Sequence, residues 1–110
     1  MYMFIATNEE NRETIGCVAL HHFSNHTTEM RRLFVSPPYR GQHIGRKLAQ
    51  FVIGQAKQLG YAYINLDTML EMKAAQALYK QLGFEVVPPY LNQPPDKLKC
   101  FQLRLNNYRN

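Results

Sequence analysis

A chain of 110 residues with 45% hydrophobic and 12% aromatic side chains and two cysteines predicts one domain, 1–110, that buries about 65% of its unfolded surface. No apolar run approaches the ~20 residues of a membrane span, and Met1-Tyr2-Met3-Phe4-Ile5 lacks the basic segment and apolar core of a signal peptide, so a cytoplasmic protein with no membrane partner is expected. Thirteen basic against eight acidic residues leave a net charge of +5; with no run of five like charges and no DNA-reading motif, the anionic partner this favours is a phosphorylated small molecule rather than nucleic acid.

Three strands open the chain. The first runs from Tyr2 to Thr7 and leads into the polar turn Asn8-Glu9-Glu10-Asn11-Arg12. The second, Thr14 to Phe23, carries Ile15, Cys17, Val18, Ala19 and Leu20, the mark of a strand covered on both faces. After Ser24-Asn25-His26-Thr27 a third strand extends from about Thr28 to Val35 and stops at Pro37-Pro38, since neither proline donates to a ladder. Beyond Gly41 the apolar period changes. Ile44, Leu48, Phe51, Val52, Ala56 and Leu59 make one stripe of an amphipathic helix that ends at Gly60. Tyr61 to Leu66 follows as a strand, and the helix between it and the third strand predicts a right-handed crossover and a parallel pair. Met72, Ala75, Leu78, Tyr79 and Leu82 mark a shorter helix stopped by Gly83. Residues 84–87 form a strand, Pro88 to Asp96 a proline-rich loop, and Lys97 to Leu105 the closing strand.

The two cysteines, Cys17 and Cys100, lie far apart in apolar strand-like segments and read as free thiols. His21, His22 and His26 are close in sequence, but neighbouring strand residues point to opposite faces and nothing completes a ligand set, so no metal is expected.

Two segments carry chemistry. Leu33-Phe34-Val35-Ser36-Pro37-Pro38-Tyr39-Arg40-Gly41-Gln42-His43-Ile44-Gly45-Arg46-Lys47-Leu48 is a strand, a stiff turn and a glycine-containing loop opening into a helix. A helix start offers unpaired N–H groups and a partial positive charge, which together make a phosphate cradle. Arg31, Arg32, Arg40, Arg46 and Lys47 surround it. The second segment, Ala75-Gln76-Ala77-Leu78-Tyr79-Lys80-Gln81-Leu82-Gly83-Phe84, is a short helix with a tyrosine near its end and a glycine stop. With the order of elements, which covers nearly all of the chain, these segments resemble the GNAT acetyltransferase superfamily. The family's cradle is usually Gln/Arg-x-x-Gly-x-Gly/Ala; Arg40 and Gly45 fit, while the fourth position is His43. A helix-start residue has negative φ, so His43 is expected to sit there without needing glycine's freedom.

The resemblance implies an α/β fold of the mixed α+β kind: a mostly antiparallel sheet with a central, splayed parallel pair, flanked by helices and lacking the family's usual first strand and first two helices. It implies acetyl-CoA as acyl donor, no metal, and direct transfer to an amine in a ternary complex. The backbone of Leu33, Phe34 and Val35 would meet the pantetheine arm, and Arg40, Gly41, Gln42, His43, Ile44, Gly45 and Arg46 would hold the pyrophosphate. The bland reading of Leu33 and Val35 is core packing. Glu29, four residues before Leu33, stands where histone-modifying relatives place a general base; it is equally an ion-pair partner for Arg31 or Arg32. Tyr79 would meet the departing sulfur, its alternative being a core aromatic. Met72 replaces an asparagine common in the family. The short amino-terminal side predicts an open sheet edge at the first strand, hence a homodimer, and leaves a second function open: an acyl-CoA-binding remnant or regulatory module with little catalysis. A basic interaction domain without a cofactor is a third.

Overall fold

The computed structural model describes residues 1–89 and 97–105; most of the expected proline-rich loop lies outside them. The elements run β1 (Tyr2–Thr7), β2 (Thr14–His22), β3 (Thr27–Val35), a 3-10 turn (Pro37–Tyr39), α1 (Ile44–Gln58), β4 (Tyr63–Met69), α2 (Lys73–Gln81), β5 (Glu85–Val87) and β6 (Leu98–Arg104). The six strands form one sheet in the order β1-β2-β3-β4-β6-β5. β3 and β4 are parallel, and every other neighbouring pair is antiparallel. This is the mixed α+β architecture and the central parallel pair that the sequence predicts.

Strand alternation divides the sheet into two unlike faces. Phe4, Val18, Leu20, Met30, Ile64, Leu66 and Phe101 share one face and join the apolar core with Leu48, Val52 and Ala56 of α1 and Tyr79 of α2. On the other face the register brings Glu29, Asn65 and Gln102 into a row, with the Gln102 amide donating to Asn65 Oδ1 at 2.8 Å. Each buried polar side chain among the described residues has a partner, as the cost of an unpaired one requires.

Two details of α1 differ from its apolar pattern. Phe51 and Leu59 are 49% and 41% exposed, and the fully buried positions are Ala49, Val52 and Ala56. The helix lies close to the sheet, so small residues face it, while Phe51 swings to the rim and meets Phe4 edge-on at 5.3 Å. The strand after α1 starts at Tyr63, because Tyr61 closes the helix: Gly60 N–H bonds Lys57 C=O and Tyr61 N–H bonds Ala56 C=O, with Gly60 at φ 89°. α2 ends by the same device at Gly83, φ 100°. There the Phe84 ring, after the glycine, packs 5.8 Å from Tyr79 in the last turn, the apolar contact that accompanies this type of helix end. Neither cysteine forms a disulfide among the described residues; Cys100 is buried and Cys17 half-buried with its thiol donating to the Arg32 carbonyl at 3.5 Å.

Candidate functional site

β3 and β4 begin as partners and then separate. Their pairing runs through Thr27↔Tyr63, Thr28↔Ile64 and Glu29↔Asn65, and no later ladder pair joins them among the described residues. The His26 carbonyl starts the pair by accepting from Ala62 N–H at 2.8 Å and Tyr63 N–H at 3.0 Å. β4 instead follows β6 along its whole length. β3 follows β2 through a bulge, where Arg32 and Leu33 lie between the pairs Ala19↔Arg31 and Cys17↔Phe34 and Arg32 takes φ 58°. A bulge bends its strand and re-aims the groups beside it. Among the described residues the edge of β3 beyond Glu29 is therefore without a strand partner on the β4 side, a geometry in which an extended ligand can pair.

The gap is a cavity of about 450 Å³, lined by Glu29 to Leu33 of β3, Leu66 to Met69 of β4, and Met72, Tyr79 and Leu98. Tyr79, 7% exposed, stands on the helix side with its ring against Phe84 and Phe101. Burial pushes its phenol above the usual value of 10.0, so it remains a proton donor around neutrality. Glu29, 4% exposed, accepts from Arg31 Nε at 2.6 Å; of the two readings of Glu29, the ion pair is present in the geometry. Asp67 lines the same cavity and is solvent-exposed.

Further along β3 and α2 lies a second cavity of about 540 Å³, bounded by Val35, Tyr39, Arg40, Gly41, His43 to Arg46 and one side of α2. Its floor is the start of α1. No side chain caps that end and no acidic residue occupies its first turn. The first helical bond runs from Lys47 N–H to His43 C=O at 3.1 Å, which leaves the amides of Ile44, Gly45 and Arg46 ahead of the ladder. A Cβ on Gly45 would meet only Val35 Cγ2, at 3.8 Å. The preceding loop is pinned on several sides. Ser36 N–H bonds Ile15 C=O at 2.7 Å, Tyr39 hydroxyl donates to Glu13 at 3.1 Å, and Arg40 Nε donates to Val35 C=O at 2.9 Å with its guanidinium 5.5 Å from the Phe34 ring. Arg46 is bonded to Gln81, tying α1 to α2.

His43 corrects one sequence expectation. It occupies the N-cap position in the left-handed region, φ 62°, ψ 22°, so glycine would be free of strain here and histidine is not. The residue before the helix need not share the helix's dihedrals; the reversal after Gly41, φ 83°, places His43 outside it. Among the other sequence candidates, Phe34 is exposed and stacked by Arg40, and Gln42 is exposed and borders neither cavity. His22 bonds Tyr61 through Nδ1 at 2.8 Å.

A cleft between two parting parallel strands, continued by an uncapped helix start, is the geometry that the sequence resemblance implies. The acetyltransferase (GNAT) family model matches residues 1–84. The chain belongs to the GNAT family. An uncharacterized N-acetyltransferase of Schizosaccharomyces pombe is 32% identical over 105 residues, which is 94% of this chain and 64% of that protein. One from Dictyostelium discoideum is 41% identical over 66 residues, 60% of this chain and 31% of its own length. The chain thus spans less than two thirds of the length of these curated relatives. A GNAT family acetyltransferase from Elizabethkingia anophelis, solved with acetyl-CoA bound, superimposes with a TM-score of 0.81 at 23% identity, covering 94% of this chain and 75% of that one.

Two residues of this GNAT cleft escape a reading by motif. Gln76 is buried on α2 and its amide donates to the carbonyls of Met69 and Leu70, both at 3.0 Å, which fixes the end of β4 against the helix that carries Tyr79. A glutamine among alanines carries no signal beyond its helical phase with Tyr79. Asp67 is the other. Its signal is positional: β4 is parallel to β3, so a polar residue near its carboxyl end falls at the cleft.

Proposed function

We propose that this chain binds acetyl-CoA along β3 and transfers the acetyl group to a primary amine of a small molecule or peptide by direct attack in a ternary complex. The observation that carries this reading is the continuity of the open β3 edge with the uncapped start of α1. Pantetheine amides would pair with the backbone of Leu33 and Val35 as an added strand does. The pyrophosphate would lie on the amides of Ile44, Gly45 and Arg46, where the helix dipole favours negative charge and Arg46 and Lys47 add to it. The acyl carbon then lies in the gap, with Tyr79 on the helix side. A backbone N–H from the bulged stretch of β3 would polarise the thioester carbonyl. As the carbon–sulfur bond breaks, the phenol of Tyr79 would donate a hydrogen bond to the thiolate. Full proton transfer between groups of ordinary pKa ~10 and ~8.5 is uphill by ~2 kcal/mol, and burial of the phenol makes it more so, so its contribution is stabilisation of developing charge.

The test is turnover of acetyl-CoA by the purified chain against a broad panel of primary amines. Initial-rate lines that intersect when both substrates vary are expected for a ternary complex, and parallel lines would contradict direct attack. Acetyl-CoA binding without turnover of any amine would replace the enzyme by an acyl-CoA-binding module. We also infer a homodimer: β1 is an edge strand whose Tyr2, Met3 and Ile5 are exposed, and an apolar edge is closed most simply by a second copy. Light scattering at micromolar concentration should give twice the chain mass, and a monomer would contradict it.

A further inference from the structure

We propose that Asp67, rather than Glu29, takes the proton from the acceptor nitrogen. The inference rests on the acetyl transfer proposed above and assigns the side chain that completes it. Both carboxylates line the cavity between β3 and β4 and point to the sheet face opposite the helices. Their circumstances differ. Glu29 stands at the last ladder pair, where the strands are still joined, and its oxygen is held by Arg31 Nε at 2.6 Å. That oxygen is taken up by the guanidinium rather than open to a ligand in the gap. Asp67 lies two residues beyond that pair on β4, level with Arg31 and past the point where the strands part. It is exposed, and no hydrogen bond or ion pair engages its carboxylate among the described residues. Its lone pairs are available to a ligand in the gap.

The charges facing Asp67 support the role. Glu29 and Arg31 reach it from β3, Cys100 is its cross-strand partner on β6, and Tyr79 lines the cavity from α2. Partial burial first, and the Glu29 charge second, push its carboxyl above 3.8, while Arg31 opposes them. A raised value makes it a stronger proton acceptor than a solvent carboxylate.

The step balances as follows. The neutral amine's lone pair forms the carbon–nitrogen bond, and the nitrogen becomes cationic and acidic as it does so. Its proton passes to the Asp67 carboxylate, the carbon–sulfur bond breaks with its electron pair on sulfur, and the thiolate is protonated from solvent beside Tyr79. Asp67, open to water, returns its proton there.

The experiment compares the chain with its Asp67→Asn, Asp67→Glu and Glu29→Gln variants, using acetyl-CoA and the best primary amine of the panel. Asp67→Asn is expected to lower kcat about 10²- to 10⁴-fold near pH 7, with acetyl-CoA affinity by calorimetry unchanged. It should lose the acidic limb of the pH profile and regain rate at high pH, where the amine arrives neutral. Asp67→Glu should recover part of the rate. Glu29→Gln removes a charge that raises the Asp67 value, so it should shift the acidic limb to lower pH without erasing it. Turnover in Asp67→Asn within threefold of the parent, a loss confined to KM, or an acidic limb erased by Glu29→Gln would each overturn the assignment and leave the acetyltransferase reading standing. Absence of turnover in the unmodified chain would overturn both.

Discussion

His43 holds a left-handed conformation at the entrance to the cradle, and that single dihedral accounts for the glycine the family usually places there. A non-glycine residue in this region is destabilised by roughly 1–2 kcal/mol, partly offset by the unfolded-state entropy that glycine would add. His43→Gly is therefore expected to raise stability by about 1 kcal/mol in chemical denaturation; a clear loss would mean that the imidazole makes a compensating contact. Tyr79 gives a second test at this scale. Its ring is held by Phe84 and Phe101, so Tyr79→Phe should keep fold and acetyl-CoA affinity. Turnover should fall about tenfold to a hundredfold, the worth of one hydrogen bond to a charged group. Equal turnover would return Tyr79 to a packing role.

At the scale of elements, the short helix α2 sets where that hydroxyl stands. Its end is a glycine at φ 100° whose added Cβ would also touch Leu103 Cδ1 at 3.4 Å. Gly83→Ala should destabilise by about 1–2 kcal/mol, a drop of at least about 4 °C in Tm, and should reduce turnover by loosening the Tyr79–Phe84 contact. Unchanged Tm would show that the helix end tolerates the strain. The periods of the sequence made each helix and strand legible, because alternation and the 3.6-residue stripe reflect which side is buried. They could not reveal that Phe51 sits at the rim while Ala49 faces the sheet, since how close a helix approaches is set by side chains on both partners. The bulge at Arg32 was hidden for a related reason: an extra residue in one strand shows only against its neighbour.

Over the whole molecule, one sheet has helices on one face and a polar row on the other, and the gap between β3 and β4 connects the two. This separates the proposed donor and acceptor sides: acetyl-CoA along the helices, the amine from the face of Glu29 and Asp67. The uncapped start of α1 and the place of Tyr79 at the gap were legible in sequence because each belongs to a contiguous motif. Asp67 was not, because its place depends on two strands meeting in parallel and then parting. The ion pair of Glu29 with Arg31 could be framed only as an alternative until the side chains were placed.

The central claim is that an acyl-CoA lies with its pyrophosphate on the start of α1. Gly45 tests it most directly, since a Cβ there would meet only Val35 Cγ2, at an ordinary contact distance of 3.8 Å. Calorimetric titration with acetyl-CoA should give micromolar-range binding to the unmodified chain and none to folded Gly45→Glu, whose carboxylate fills the cradle and repels the phosphates. Equal affinity in the two proteins would contradict the account.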